Sequence, residues 1–329
     1  MASTRSRLLA SAATALALLA AGGSSAAAAD RPQSTQLISR SLSGGVPNGA
    51  STHAVISDDK RYARVIAFES EASNLVSGDT NGVKDVFAVR RSGRVGNDGA
   101  RWQIGKTVLI SRSASGAPAN GPSFGAAVDG AFHRRPSCVA FLSSATNLVR
   151  GDTNGRVDAF VRRLRGSRPR RLSLPRGRQS GADTSAVAVS GDCKVIAWTT
   201  GGVLYVSKRG HTKRVATGAA DPSFSTGLRD DLVYGASAGV YLAKGGTGRP
   251  RLIAPGGRNP AYTDIKRRVV AYEKTFGGHV QIGYRDVGRA EQVISSRYSS
   301  VGNGDSRAPV IGNAGYYVTF ETDASNLGV

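Results

Sequence analysis

The chain has 329 residues, a formal charge of +21, 42 glycines and two cysteines. A charge of that size directs the chain toward anionic material. Helix signals are scarce and nothing after residue 29 is apolar enough to cross a bilayer, which excludes a helical fold and a membrane-spanning segment.

Residues 1–29 read as an export signal. Arg5 and Arg7 precede an apolar run from Leu8 to Ala21, and small residues follow as far as Ala29. That is the order of a secretory signal peptide. The remainder, 30–329, is predicted to be one domain, monomeric, and secreted or held at the cell envelope. Export makes a disulfide between Cys138 and Cys193 the default for the pair, with two inert thiols as the alternative. The bridge would close a loop of about 55 residues and stabilise by roughly 4 kcal/mol.

From residue 35 onward one short phrase returns: Val65-Ile66-Ala67-Phe68, Val139-Ala140-Phe141, Val195-Ile196-Ala197-Trp198, Leu232-Val233-Tyr234, Val269-Val270-Ala271-Tyr272 and Val318-Thr319-Phe320. Each copy is apolar, β-prone and bounded by turn residues, which predicts a strand. Six self-similar copies predict a repeat architecture. A second aromatic column, Phe87, Phe160, Tyr205 and Tyr241, marks the strand that follows. With a strand added on either side, the repeats fall at 51–112, 123–174, 184–217, 221–254, 259–295 and 307–329. The sixth repeat has no strand after its aromatic phrase. Residues 35–41 nearly match 107–113, which close the first repeat, so they are predicted to be the outer strand of the last one. The expectation is an all-β, six-bladed β-propeller of four-stranded antiparallel blades, its ring closed by the N-terminal strand 35–41 in the last blade.

The stretch from Ala72 to Phe87, which includes Gly78-Asp79-Thr80-Asn81-Gly82, and its copy from Ala145 to Phe160 resemble the repeats of secreted bacterial TolB-like propellers. The resemblance spans most of 35–329. It is strongest in the first two repeats and in the echo from Asp323 to Leu327. It implies a non-catalytic scaffold that binds a protein or an anionic cell-envelope polymer. TolB itself carries an N-terminal α/β domain for which this sequence offers no counterpart, so its cellular role is not implied.

Two motifs are candidates for chemistry. The first is Gly-Asp-Thr-Asn-Gly-x-x-Asp, which sets Asp79, Asn81 and Asp85, then Asp152, Asn154 and Asp158, on tight turns. Alternating oxygen side chains with a glycine and a later carboxylate suit a Ca²⁺ loop. The same residues suit a turn in which Asp and Asn cap their own backbone. The second is the arginine-rich run 162–178. Arg162, Arg163, Arg165, Arg168, Arg170 and Arg171 are predicted as the centre of a polyanion-binding face, one that also takes in Lys60, Arg61, Arg64, Arg91, Arg94, Arg134, Arg135, Lys208, Arg209, Lys213, Lys266, Arg267 and Arg268 on or beside connections along the chain. No recognition helix or interleaved aromatics accompany these arginines, so sequence-specific reading of nucleic acid is not expected.

Catalysis is not expected either. His53, His133, His211 and His279 share no spacing typical of zinc ligands, and no nucleophile elbow or phosphate loop is present. The alternative is a propeller-type carbohydrate-active enzyme, a polysaccharide lyase or a glycosidase. No cofactor is expected beyond Ca²⁺ at the two turns.

Overall fold

The structure is a computed structural model that describes residues 35–59, 62–93, 103–131, 134–166, 168–174, 177–225, 227, 229–297, 300–312 and 314–327. The predicted signal segment 1–29, Lys60, Arg61, Arg94 and His133 lie outside the described residues. The chain divides into two units. One is Leu37–Leu327. The other is 1–36 with 328–329, of which only residues 35 and 36 are described.

Five four-stranded antiparallel sheets follow one another along the chain. They are β1 (Ser51–Ile56) to β2 (Val65–Ser70), β3 (Asp85–Ser92) and β4 (Gln103–Leu109); then β5 (Ser123–Val128), β6 (Cys138–Ser143), β7 (Asp158–Arg163) and β8 (Pro169–Arg171). The third is β9 (Thr184–Val189), β10 (Val195–Thr200), β11 (Val203–Lys208) and β12 (His211–Thr217). The fourth is β13 (Ala220–Phe224), β14 (Leu232–Ala236), β15 (Gly239–Ala243) and β16 (Arg251–Pro255). The fifth is β17 (Arg258–Thr263), β18 (Val269–Phe276), β19 (His279–Asp286) and β20 (Gln292–Val293). Two hairpins complete the described residues: β21 (Ser296–Arg297) with β22 (Ser300–Val301), and β23 (Ser306–Ile311) with β24 (Val318–Thr322).

The aromatic phrases form the second strand of each sheet, and β2, β6 and β10 are buried at every position. Each is covered on both faces because successive sheets pack against each other. One apolar cluster joins the first sheet to the second through Ala67, Val86, Phe141 and Phe160. Others join the second to the third, the third to the fourth and the fourth to the fifth. Phe68 lies across from Phe87, Phe141 from Phe160, Trp198 from Tyr205 and Tyr234 from Tyr241, and each pair stacks at 5.6–5.8 Å between ring centres. In the fifth sheet Tyr272 faces Gly283, where a Cβ would come within 2.5 Å of the ring. The second aromatic column therefore breaks off there because a glycine makes room for the tyrosine.

The disulfide forms. Cys138 on β6 bonds Cys193 in the turn before β10, with the Cα atoms 6.3 Å apart, and so links the second sheet to the third.

Two expectations are corrected. Six four-stranded blades are not what the described residues contain, since the last repeat holds only β23 and β24, next to the small β21–β22 hairpin. Residues 37–41 form no strand. Their likeness to 109–113 is expressed as a turn: Arg40 N donates to Ile38 O as Arg112 N does to Ile110 O, both at 2.9 Å, and Ser41 N donates to Gly45 O as Ser113 N does to Ala117 O. Ile38 packs on the cluster of Phe68, Leu75 and Phe87 in the first sheet. The side chain that was expected to complete the last sheet covers a face of the first one.

Candidate functional site

The two Asp-Asn turns are built alike. Asn81 donates its amide to Asp85 Oδ2 at 2.6 Å and to Ala119 O at 2.9 Å, while its own oxygen accepts the Val83 N–H. Ser111 donates to the other Asp85 oxygen. In the second copy Asn154 reaches Asp158 and Ser180 O, its oxygen accepts the Arg156 N–H, and Ser173 donates to Asp158. These are the contacts of self-capped turns. A Ca²⁺ ion would have to displace them.

The copies differ in one respect. Arg171 on β8 lies across from Phe160, and its guanidinium stands 2.8 Å from Asp152 Oδ1 and 3.2 Å from Asp158 Oδ2. The matching position across from Phe87 is Leu109. With no guanidinium between its carboxylates, the first copy carries Asp85 pushed up to about 6, by burial first and by the neighbouring Asp79 charge as a smaller cause. Burial raises Asp79 as well.

Arg162 and Arg171 do not belong to a polyanion-binding face. Arg162 is 3% exposed and donates to Ile110 O and Arg112 O at 3.2 and 3.0 Å. Burial lowers its pKa to about 10, with the Arg112 charge adding to the effect. Arg171 is 9% exposed and committed to Asp152 and Asp158. Each is next to an exposed arginine on its strand, Arg163 beside Arg162 and Arg170 beside Arg171. Arg163, Arg165, Arg168 and Arg170 are exposed.

The basic residues converge elsewhere, between the first and second sheets. Arg64, Arg90, Arg91, Arg135, Arg163 and Arg165 line a cleft of about 750 Å³ together with Val65, Pro136, Ser137, Leu164 and Gly166, and among the described residues no carboxylate lines it. Backbone and side-chain contacts hold four of them in place. Arg64 pairs with the buried Asp59, Arg90 donates to Leu164 O, Arg91 to Tyr62 O at 3.0 Å, and Arg163 to Ser137 Oγ at 3.0 Å. Arg135 and Arg165 make no hydrogen bond or ion pair among the described residues. Burial lowers the Arg90 pKa, and the Arg165 charge lowers it further, so like charges press on one another in this cleft.

The run 162–178 thus contributes Arg163 and Arg165, whereas Arg90 is a residue that the sequence pattern left out. Its signal is the arginine pair that ends the third strand of each of the first two sheets, Arg90-Arg91 and Arg162-Arg163. Among the described residues one group of three metal-type donors exists, Asp129 with Cys138 and Cys193, and its sulfurs form the disulfide.

No protein-family model matches the chain, and no curated protein matches it. Solved structures do. The β-propeller domain of the Trilobed protease from Pyrococcus furiosus is 8% identical, with a TM-score of 0.48, over 84% of this chain and 78% of that one. A Trypanosoma rangeli sialidase in complex with 2,3-difluorosialic acid is 13% identical, with a TM-score of 0.44, over 88% of this chain. This chain spans about half of the sialidase, 54%. A putative TolB from Agrobacterium tumefaciens is 11% identical, with a TM-score of 0.41, over 67% of this chain and 75% of that one. The expectation that the chain is not an enzyme is corrected by this set: it contains a sialidase beside TolB, so the all-β repeat architecture gives no ground for excluding catalysis.

Proposed function

We propose that this chain is an exported β-propeller module that binds an anionic polymer in the arginine-lined cleft between its first two sheets. The observation that carries the reading is Arg135 and Arg165, which make no hydrogen bond or ion pair among the described residues, in a cleft lined by four further arginines and by no described carboxylate. Guanidinium groups present forked donors that match carboxylate, sulfate and phosphate oxygens. An anion bound there relieves the mutual repulsion of Arg90 and Arg165 and adds charge-assisted hydrogen bonds. The overall charge of +21 draws polyanions in from a distance, and the cleft holds them. A repeating acidic polymer of the cell envelope, uronic or phosphodiester, is the class of ligand that fits.

The test is binding of heparin and of a polyuronate to wild type and to the Arg135→Ser, Arg165→Ser double variant across a salt series. The double variant is expected to bind at least tenfold more weakly, with the slope of log affinity against log salt reduced by about one per arginine removed. Equal binding by the two proteins would overturn the assignment to this cleft.

A further inference from the structure

A second cavity opens at the other end of β2. Val65, the first residue of that strand, lines the arginine cleft. Glu69 and Glu71, at and just past the strand's end, line a cavity of about 890 Å³ with His53, Lys84, Pro122 and Phe124. The stretches that supply these side chains are described without a break. The bulge in β1 holds His53 at φ 49° and re-aims its ring. Its Nδ1 stands 3.3 Å from Glu69 Oε2 and 3.1 Å from Thr52 Oγ1, so the ring is held by one nitrogen. Lys84 Nζ stands 3.7 Å from the same Glu69 oxygen, and the other Glu69 oxygen accepts the Gly125 N–H.

What these pairings leave over defines a ligand. Glu71 is exposed, and its carboxylate makes no hydrogen bond or ion pair among the described residues. His53 Nε2 makes no hydrogen bond among them either. The Lys84 ammonium keeps N–H donors beyond the one that faces Glu69. Lys84 balances Glu69, so Glu71 leaves this cavity negative within a chain of formal charge +21. Pro122 and the half-buried Phe124 give it an apolar wall. A few convergent polar groups beside an apolar wall are the make-up of a small-molecule site. A ligand that answers all of them brings a cation for Glu71, hydroxyl groups for Lys84 and His53, and an apolar ring face for Phe124. An alkyl ammonium answers the carboxylate and leaves the donors unserved. A neutral sugar answers the donors and leaves the carboxylate without a counter-charge. We propose that this cavity binds an amino sugar, with its ammonium on Glu71, its hydroxyls on Lys84 and His53, and its ring face on Phe124. The Glu71 contact is charge-assisted and supplies the selectivity.

The test is titration calorimetry of the full chain with glucosamine oligomers, at a pH that keeps the amines protonated. N-acetylated oligomers of the same length, maltose oligomers and a lysine oligomer are the controls. Saturable binding of the glucosamine oligomer is expected, with the three controls weaker. Glu71→Gln is expected to weaken it roughly tenfold, since the substitution removes a charge-assisted hydrogen bond. Glu71 is exposed and touches no described partner, so this variant keeps the fold, and the ligand series reads the site in the unaltered protein besides. Equal binding of the N-acetylated and free-amine oligomers would overturn the proposal. So would a lysine oligomer that binds as tightly as the sugar, which would give the cavity to a basic peptide, and so would a Glu71→Gln variant that binds like wild type. This cavity shares no lining residue with the arginine cleft, so loss of amino-sugar binding and loss of heparin binding are separable.

Discussion

Glu69, buried in the second strand of the first sheet, accepts the backbone N–H of Gly125 in the first strand of the next sheet at 2.8 Å. Glu273 does the same for Ala308, at 2.9 Å, between the fifth sheet and the last hairpin. In both places the donor sits at a bulge with positive φ, 61° at Gly125 and 52° at Ala308, which turns the N–H out of its own ladder and toward the neighbouring sheet. The carboxylate is thus a clasp between sheets, set at one repeat position.

Replacing Glu69 by Ala removes that clasp and leaves the Gly125 N–H without its acceptor. The expected loss is about 1–3 kcal/mol, read as a lower denaturant midpoint with an unchanged slope. Glu69→Gln keeps an acceptor of the same reach and is expected to lose less. Equal losses for the two variants would mean that packing, not the clasp, is what the glutamate contributes.

Arg171 should be the more costly residue to remove. Arg171→Leu strands two buried carboxylates, Asp152 and Asp158, and breaking a buried ion pair from one side costs about 3–5 kcal/mol. Adding Asp152→Asn and Asp158→Asn to the same chain removes the stranded charges and is expected to recover most of the loss. Thermal unfolding of the single and triple variants measures both.

Stability is expected to fall as pH rises from about 4 to about 7 through two carboxylates. Asp58 is pushed up to about 7, by burial first and by the Asp59 charge second, and Asp85 to about 6. The folded chain keeps protons on these groups that the unfolded chain releases near its ordinary carboxylate range. Their favourable contribution is therefore full at low pH and is lost as pH climbs through the folded values. Asp58→Asn cannot lose a proton, so the difference in melting temperature between this variant and wild type should grow from pH 4 to pH 8. A difference independent of pH would refute the shifted group.

Much of the architecture was legible before any coordinates. The first five aromatic phrases announced their strands because a strand buried on both faces has to be apolar at nearly every position, and that leaves an unmistakable short run. The arginine site was legible only in part. Composition announced a basic surface, but which arginines reach it depends on facing: Arg162 and Arg163 are adjacent in sequence and lie on opposite faces of β7, one sealed against Ile110 O and the other open to the cleft.

By itself, then, the sequence determined the repeat and the strand type, because each is a local matter of burial pattern or composition. Only the tertiary structure decided which repeats are complete, where 37–41 goes, and which arginines face one another. Those are contacts between residues far apart in the chain. A sequence pattern repeats the same local instruction at 37–41 and 109–113, but the neighbours that turn it into a packed segment differ at each place.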